Sequence, residues 1–315
     1  MRVLMSIAAS LVMLLGSTSS LFADQKAFLG RWNLTGTGAN ADHIYWLEVK
    51  DEGGTLSGKF LNRGGSPVAL ESIKVEGDEL IFTIAGRPNV PAIEHRAKLE
   101  RGKLVGSTTE RGTPVQWVGV HPPTWPPADA NAKHAFGKPI ELFDGKSLDA
   151  FDLQRKDRPS GWTVADGAMT NEPKANNLVS KQKFKDYKIQ AEYKLDKDSN
   201  SGIYQRGRYE LQVVDDYGKP AESHGHMSIY AWVAPKVNAS KPAGEWQTME
   251  AIVVGNKVTV TLNGQKVQDN STIEAITGGA LDANETAPGP IMLQGDHGKV
   301  WYRKVTVTPI VGAGS

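Results

Sequence analysis

The chain has 315 residues, 36 basic against 35 acidic side chains, and no cysteine. A net charge near zero without any basic block gives nucleic acid no electrostatic foothold. The lack of cysteine excludes disulfide frameworks, a lipid-modified cysteine and thiolate metal sites.

Met1-Arg2 precede an apolar run from Val3 to Leu15, a small-residue stretch Gly16 to Ser20, and Leu21-Phe22-Ala23. A short basic start, an apolar segment too brief to cross a bilayer and a small residue at the cut predict a cleavable signal peptide over 1–23. Asp24 would begin the exported chain, located in the periplasm or outside the cell. No second long apolar segment follows, so no membrane span is expected.

The region 24–121 carries short β-like runs at Ile44–Lys50, Leu56–Leu61, Leu70–Val75, Glu79–Ile84, His95–Glu100 and Lys103–Thr109. Glu52-Gly53-Gly54, Glu76-Gly77-Asp78 and Arg101-Gly102 punctuate them as turns. Such spacing, without a helical period, predicts a small antiparallel β barrel or sandwich. Trp32, Trp46 and Trp117 each sit beside apolar neighbours, which favours core over a ligand platform. Pro122 to Pro127 holds four prolines in six residues, and 122–138 reads as a stiff extended linker.

From 139 to 311 the strand pattern returns. Tyr187–Leu195 alternates, with Ile189, Ala191, Tyr193 and Leu195 on one face. Gly202–Val214, Trp246–Val254, Lys257–Asn263, Pro290–Gln294 and Trp301–Pro309 read as further strands, turned at Val254 to Lys257 and at Asn263-Gly264. Many strands without interleaved helices predict a two-sheet sandwich. Ser271 to Pro288 reads as a long loop of the kind that serves binding, and 312–315 as a tail. The expected class is all-β.

An ordered set of motifs runs through this second region. It comprises Glu141-Leu142-Phe143-Asp144-Gly145-Lys146, Trp162-Thr163-Val164-Ala165-Asp166-Gly167, Asn200-Ser201-Gly202-Ile203-Tyr204, Tyr209-Glu210-Leu211-Gln212, Gly244-Glu245-Trp246-Gln247, Leu262-Asn263-Gly264 and Leu293-Gln294-Gly295-Asp296-His297-Gly298. In this order they resemble the 3-keto-disaccharide hydrolase domain, long catalogued as a domain of unknown function in exported bacterial proteins. The resemblance implies a concanavalin- or laminin-G-like jelly roll and cleavage of glycosides oxidised at C3. It also implies an oligosaccharide or oxidised glycoside as partner, and an upstream sugar 3-dehydrogenase. The front region resembles small β domains sometimes found ahead of this one.

Within Gly202–Asp215, an unbroken strand would put Tyr204, Arg206, Arg208, Glu210 and Gln212 on one face, suited either to solvent or to sugar hydroxyls. Gln294 and Asp296 share a parity, with His297 beside them; a hairpin closed by Asp296 is the alternative. Ordinary glycoside hydrolysis needs two opposed carboxylates, for which Glu210 pairs with Asp215, Asp296 or Glu245. A 3-keto substrate instead needs a base for the acidified C2 proton and a donor for the enolate. The candidate catalytic residues are therefore Glu210, His226 and Asp215, with Glu210 or His226 as base and Arg206 or Arg208 as clamp. The candidate substrate-binding residues are Tyr204, Arg206, Arg208, Gln212, Trp232, Gln294, Asp296 and His297. Ala231-Trp232 adds bulk where the resembled family is often glycine-rich, and so would narrow the pocket. No metal site is assigned, although His224 and His226 with Asp215 or Glu210 could hold a transition ion, and Asp282 with Glu285 calcium. No serine-nucleophile or dinucleotide motif is present. A non-catalytic carbohydrate-binding protein on the same sandwich is the alternative function.

Overall fold

The computed structural model describes residues 25–110 and 112–314; the expected signal peptide, 1–23, lies outside them. Among the described residues the strands pair antiparallel into three sheets, and no helix is long and apolar enough to cross a membrane.

The first sheet contains β1 (Gly30–Gly36), β2 (Ile44–Asp51), β3 (Leu56–Leu61), β4 (Val68–Ala69), β5 (Ser72–Glu76), β6 (Glu79–Ile84), β7 (Ile93–Glu100), β8 (Lys103–Glu110) and β9 (Thr113–Val120). The sequence reading missed β1 and β9, whose glycines, Asn33 and Pro114 interrupt the apolar alternation. The stretch expected as one strand, Leu70–Val75, is instead where the sheet closes. The Leu70 amide bonds Gly58 O on β3, while the Glu71 amide bonds Thr83 O just after it on β6. One run of chain thus pairs with both ends of the sheet and curls it into a barrel. Trp32, Phe60, Phe82 and Trp117 fill its interior. His95 stacks on Phe82 with ring centroids 4.7 Å apart, and burial pushes its imidazole down to about 3, so it sits there as a neutral ring. Trp46 faces outward yet is fully buried, because it meets Trp232 of the second region edge-to-face at 4.9 Å.

The second region contains β10 (His134–Phe136), β11 (Ile140–Phe143), β12 (Phe151–Leu153), β13 (Trp162–Ala165), β14 (Ala168–Asn171), β15 (Leu178–Phe184), β16 (Tyr187–Leu195), β17 (Asn200–Gln205), β18 (Tyr209–Val214), β19 (Gln247–Val254), β20 (Lys257–Leu262), β21 (Gln265–Thr272), β22 (Gly289–Leu293) and β23 (Val300–Ala313). One sheet runs β13-β14-β23-β16-β19-β20-β21, with β10 and β11 also on β23; the other runs β12-β15-β22-β17-β18. The alternation read along Tyr187–Leu195 is realised, every second residue being buried between the sheets. The expected tail at 312–315 is a correction: Gly312 and Ala313 pair with Ala135 and His134. The proline-rich segment 122–127 leads into residues that are pinned to the sandwich, where the Ala130 amide bonds the Asn270 side chain at 2.9 Å.

The expected single strand Gly202–Val214 is a hairpin. Arg206 and Gly207 both have left-handed backbone, φ 54° and 68°, and the Arg208 amide closes the turn on Gln205 O at 3.1 Å. Tyr204 then faces Glu210 across the ladder, and Gly202 faces Gln212. On the other face Ile203, Tyr209, Leu211 and Val213 enter the core.

Candidate functional site

Pleating decides which side chains meet. Tyr204, Glu210 and Gln212 leave the five-stranded sheet on the face turned away from the core, and register carries the row on to Met292, opposite Tyr204 on β22. With Gln294 they floor a cleft of about 490 Å³. One wall comes from residues 154–161 and 172–177, with Asp296 and His297 at the rim. The opposite wall is Gly278 and Gly279 with Arg63, Gly64 and Gly65 of the barrel.

Glu210 lies at the centre, 4% exposed. Burial pushes its carboxyl up to about 8, countered in part by the Tyr204 hydroxyl and the nearby His297. Tyr204 Oη lies 2.9 Å from Glu210 Oε2 and 2.8 Å from the Gly278 carbonyl. The hydroxyl has one proton and the carbonyl can only accept. A protonated Glu210 satisfies both contacts: its O–H donates to Tyr204, which donates onward to Gly278. Hydrogen-bond arithmetic and burial therefore agree on a neutral acid. Gly202 makes this possible, because a Cβ there would overlap the Glu210 carboxyl. The Glu210 amide donates to Thr277 Oγ1 at 2.9 Å, fixing the strand against the 273–288 loop.

At the rim, His297 Nδ1 lies 2.7 Å from Asp296 Oδ1, both side chains about half exposed. The aspartate raises the histidine above its ordinary 6.5 and leaves Nε2 as the free ring nitrogen. Asn177 orders this turn, its Oδ1 accepting from the amides of Gly295 (2.7 Å) and Asp296 (3.2 Å). Asn176 braces the facing loop through the Arg155 amide and carbonyl. Gln294 Oε1 is buried without a hydrogen-bond partner, so a sugar hydroxyl would complete it.

The structure brings together Tyr204, Glu210, Gln212, Gln294, Asp296 and His297, and it removes six other candidates. His226 is buried between the sheets, with Nδ1 2.7 Å from Val214 O and Nε2 2.6 Å from Tyr193 Oη. A carbonyl only accepts, so Nδ1 carries the proton, and burial holds the ring below its ordinary value. Asp215 caps a turn by accepting from the Asp198 amide. Arg206 lies against Gly255 O and Asp186, under Trp125. Arg208 pairs with Asp282 at 2.6 Å and the Ala287 carbonyl at 2.9 Å, holding the long loop. The turn at Arg206-Gly207 is what diverts both arginines from the cleft face. Trp232 does not narrow the pocket; it packs on Trp46 and donates to Ile276 O. Glu245 is exposed and outside the cleft.

The metal constellations also fail to assemble. His224 turns to Ser66 of the barrel, at 2.7 Å, and away from His226. Asp282 is held by Arg208, and Glu285 accepts from Asn33 and Tyr209. Among the described residues no group of three or more His, Asp or Glu side chains is arranged to hold a metal ion. Asn176, Asn177, Tyr230 and Arg63 line the cleft but went unnoticed in the sequence. They occupy turn-like stretches whose composition fits any solvated loop.

A family model described as the 3-keto-alpha-glucoside-1,2-lyase-like domain matches residues 138–308. A curated protein of Bacteroides thetaiotaomicron, described as a 3-keto-disaccharide hydrolase, is 26% identical over 164 residues. That match covers 41% of this chain and 57% of the relative, so just over half of the relative's length is spanned. A crystal structure from Parabacteroides distasonis, provisionally described as a glycosyl hydrolase, superposes with a TM-score of 0.50 at 29% identity. It covers 60% of this chain and 94% of its own, which accords with a jelly-roll sandwich.

Proposed function

The chain belongs to the 3-keto-alpha-glucoside-1,2-lyase-like family through residues 138–308, and from that premise we propose that its cleft cleaves 3-keto-glycosides by elimination and hydration. The observation that carries the reading is one cleft holding two proton-transfer groups of opposite readiness. Glu210 keeps its proton at neutral pH, while His297 is oriented by Asp296, which raises it above its ordinary value and leaves Nε2 as the nitrogen that exchanges a proton.

His297 Nε2 removes the C2 proton, which the C3 carbonyl acidifies, and the electron pair passes to the carbonyl oxygen as an enolate. The amides of Gln212 and Gln294 line the cleft as donors for that oxygen. The pair then returns to form the C1–C2 double bond as the C1–O bond breaks, and Glu210 protonates the departing oxygen. In the second half, Glu210 as carboxylate takes a proton from water, the water oxygen bonds C1, and His297 returns a proton to C2. Both groups end as they began. The description of the family as 1,2-lyase-like supports elimination across C1 and C2. Such a substrate must be made by oxidation at C3, so a sugar 3-dehydrogenase upstream belongs to the same proposal. So does export through Met1–Ala23, which intact mass of the recovered protein would test by a start at Asp24.

The decisive experiment incubates the purified protein with a 3-keto-disaccharide and with its unoxidised parent, in water and in D₂O. Release of 3-keto-glucose from the oxidised sugar alone, with deuterium at C2 beyond that acquired by 3-keto-glucose incubated without protein, is expected. Equal cleavage of the parent would replace the reading with ordinary glycosidase chemistry. Binding without turnover would leave a carbohydrate-binding protein.

A further inference from the structure

The cleft is not made by the matched family region alone. Arg63, Gly64 and Gly65, on the β3–β4 turn of the barrel, form part of its wall, although the family match begins only at residue 138. The junction is built at backbone level. The Gly279 amide donates to the Arg63 carbonyl at 2.9 Å. A Cβ at Gly278 would overlap the backbone of Gly64 and Gly65, so only glycine permits the approach. Ser66 and His224 add a second tie at 2.7 Å. The Gly278 carbonyl so positioned is the acceptor of the Tyr204 hydroxyl, which in turn meets Glu210. An unbroken line of contacts therefore joins the barrel turn to the buried carboxyl.

The Arg63 side chain is exposed and, among the described residues, has neither an ion-pair nor a hydrogen-bond partner. It stands where the cleft adjoins a second depression of about 1440 Å³ at the barrel mouth, which Arg63 and Gly64 also line. The far wall of the cleft, with Asn176, Asn177, Asp296 and His297, lies wholly within the matched region. The matched region thus supplies one wall of the cleft together with its floor, and the barrel turn completes the other.

We propose that the Asn62–Pro67 turn is the subsite for the departing half of the glycoside, and that Arg63 selects a hydroxyl-rich second sugar as leaving group. The inference rests on the 3-keto-glycoside reading of the same cleft. Arg63 is a specificity residue here, with no part in bond breaking.

The test compares wild type with Arg63→Ala on a 3-keto-disaccharide and on methyl 3-keto-glucoside, which has no second sugar. Loss of a charge-assisted hydrogen bond should lower the disaccharide-to-methyl ratio of kcat/KM by about tenfold. An unchanged ratio overturns the inference while leaving the reaction itself intact. If wild type turns over neither compound, the proposed function fails separately. The subsite is then judged by calorimetric titration of disaccharide and methyl glycoside: selective weakening of the disaccharide in Arg63→Ala sustains it, and equal or absent binding overturns it.

Discussion

Glutamine in place of Glu210 keeps the side chain's shape, can donate the same hydrogen bond to Tyr204, and removes the titration. In the wild type burial raises the carboxyl from 4.5 to about 8. Over that interval the folded state holds a proton that the unfolded chain has released. The stability contributed by the group is complete below pH 4.5 and lost as pH rises through 8. At about 1.4 kcal/mol per pH unit, the displacement is worth about 5 kcal/mol, an upper figure because ionised Glu210 would draw water into the cleft. Measured by urea denaturation at a series of pH values, E210Q should gain about 3–5 kcal/mol on wild type between pH 5 and pH 9. The same variant should lose about 10²- to 10⁴-fold in kcat on a 3-keto-disaccharide. Parallel stability curves would refute the neutral-acid reading, whatever happened to activity.

The pH–rate profile of kcat/KM should be a bell, rising as His297 deprotonates and falling near 8 as Glu210 ionises. Because Asp296 raises the histidine, Asp296→Asn should move the rising limb to lower pH; a limb that stays in place would remove the pair from the chemistry. Gly202→Ala puts a methyl group where the Glu210 carboxyl lies, so a folded protein with kcat reduced at least about tenfold is expected. His226→Phe should cost about 2–4 kcal/mol by stranding Tyr193 and the Val214 carbonyl. Its kcat per folded molecule, from active-site titration, should stay within about twofold of wild type, and a larger fall would return His226 to the site.

Much of the sandwich was legible because half-buried strands write their burial as alternation, as Tyr187–Leu195 does. Tyr204, Glu210 and Gln212 do share a face, though not along the single strand the sequence suggested. The sequence placed Tyr204 with Glu210 and Gln212 along one strand, yet they lie on two strands whose partners sum to 414. An even sum keeps even residues facing even ones, so parity survived the hairpin. Arg206 and Arg208, which the same parity included, sit in the turn or at its edge and were carried elsewhere. Nothing local marks Arg-Gly as a reversal as strongly as Asn-Gly would. Burial itself was the least legible property. His226 reads like any polar loop histidine until Tyr193, 33 residues away, closes over it. Arg63 likewise looks like an ordinary turn residue until Gly278, far along the chain, is brought against its neighbour Gly65. By contrast the strand expected at Ile44–Lys50 is present, and its run Ile44-Tyr45-Trp46-Leu47, four apolar residues without alternation, is covered on both faces.

Strand β23 lies inside its sheet, between β14 and β16, and also takes up β10 and β11. Every strand it joins is synthesised before it. The barrel has all nine of its strands by Val120, but the sandwich lacks a central member until residue 300 has emerged. A ribosome-bound chain stalled before that point would carry a finished barrel sheet beside two half-sandwich layers with their apolar faces open. Completion of the sandwich consequently waits on β23, and a nonsense mutation placed just before that strand would open the layer it centres while sparing every residue of the site.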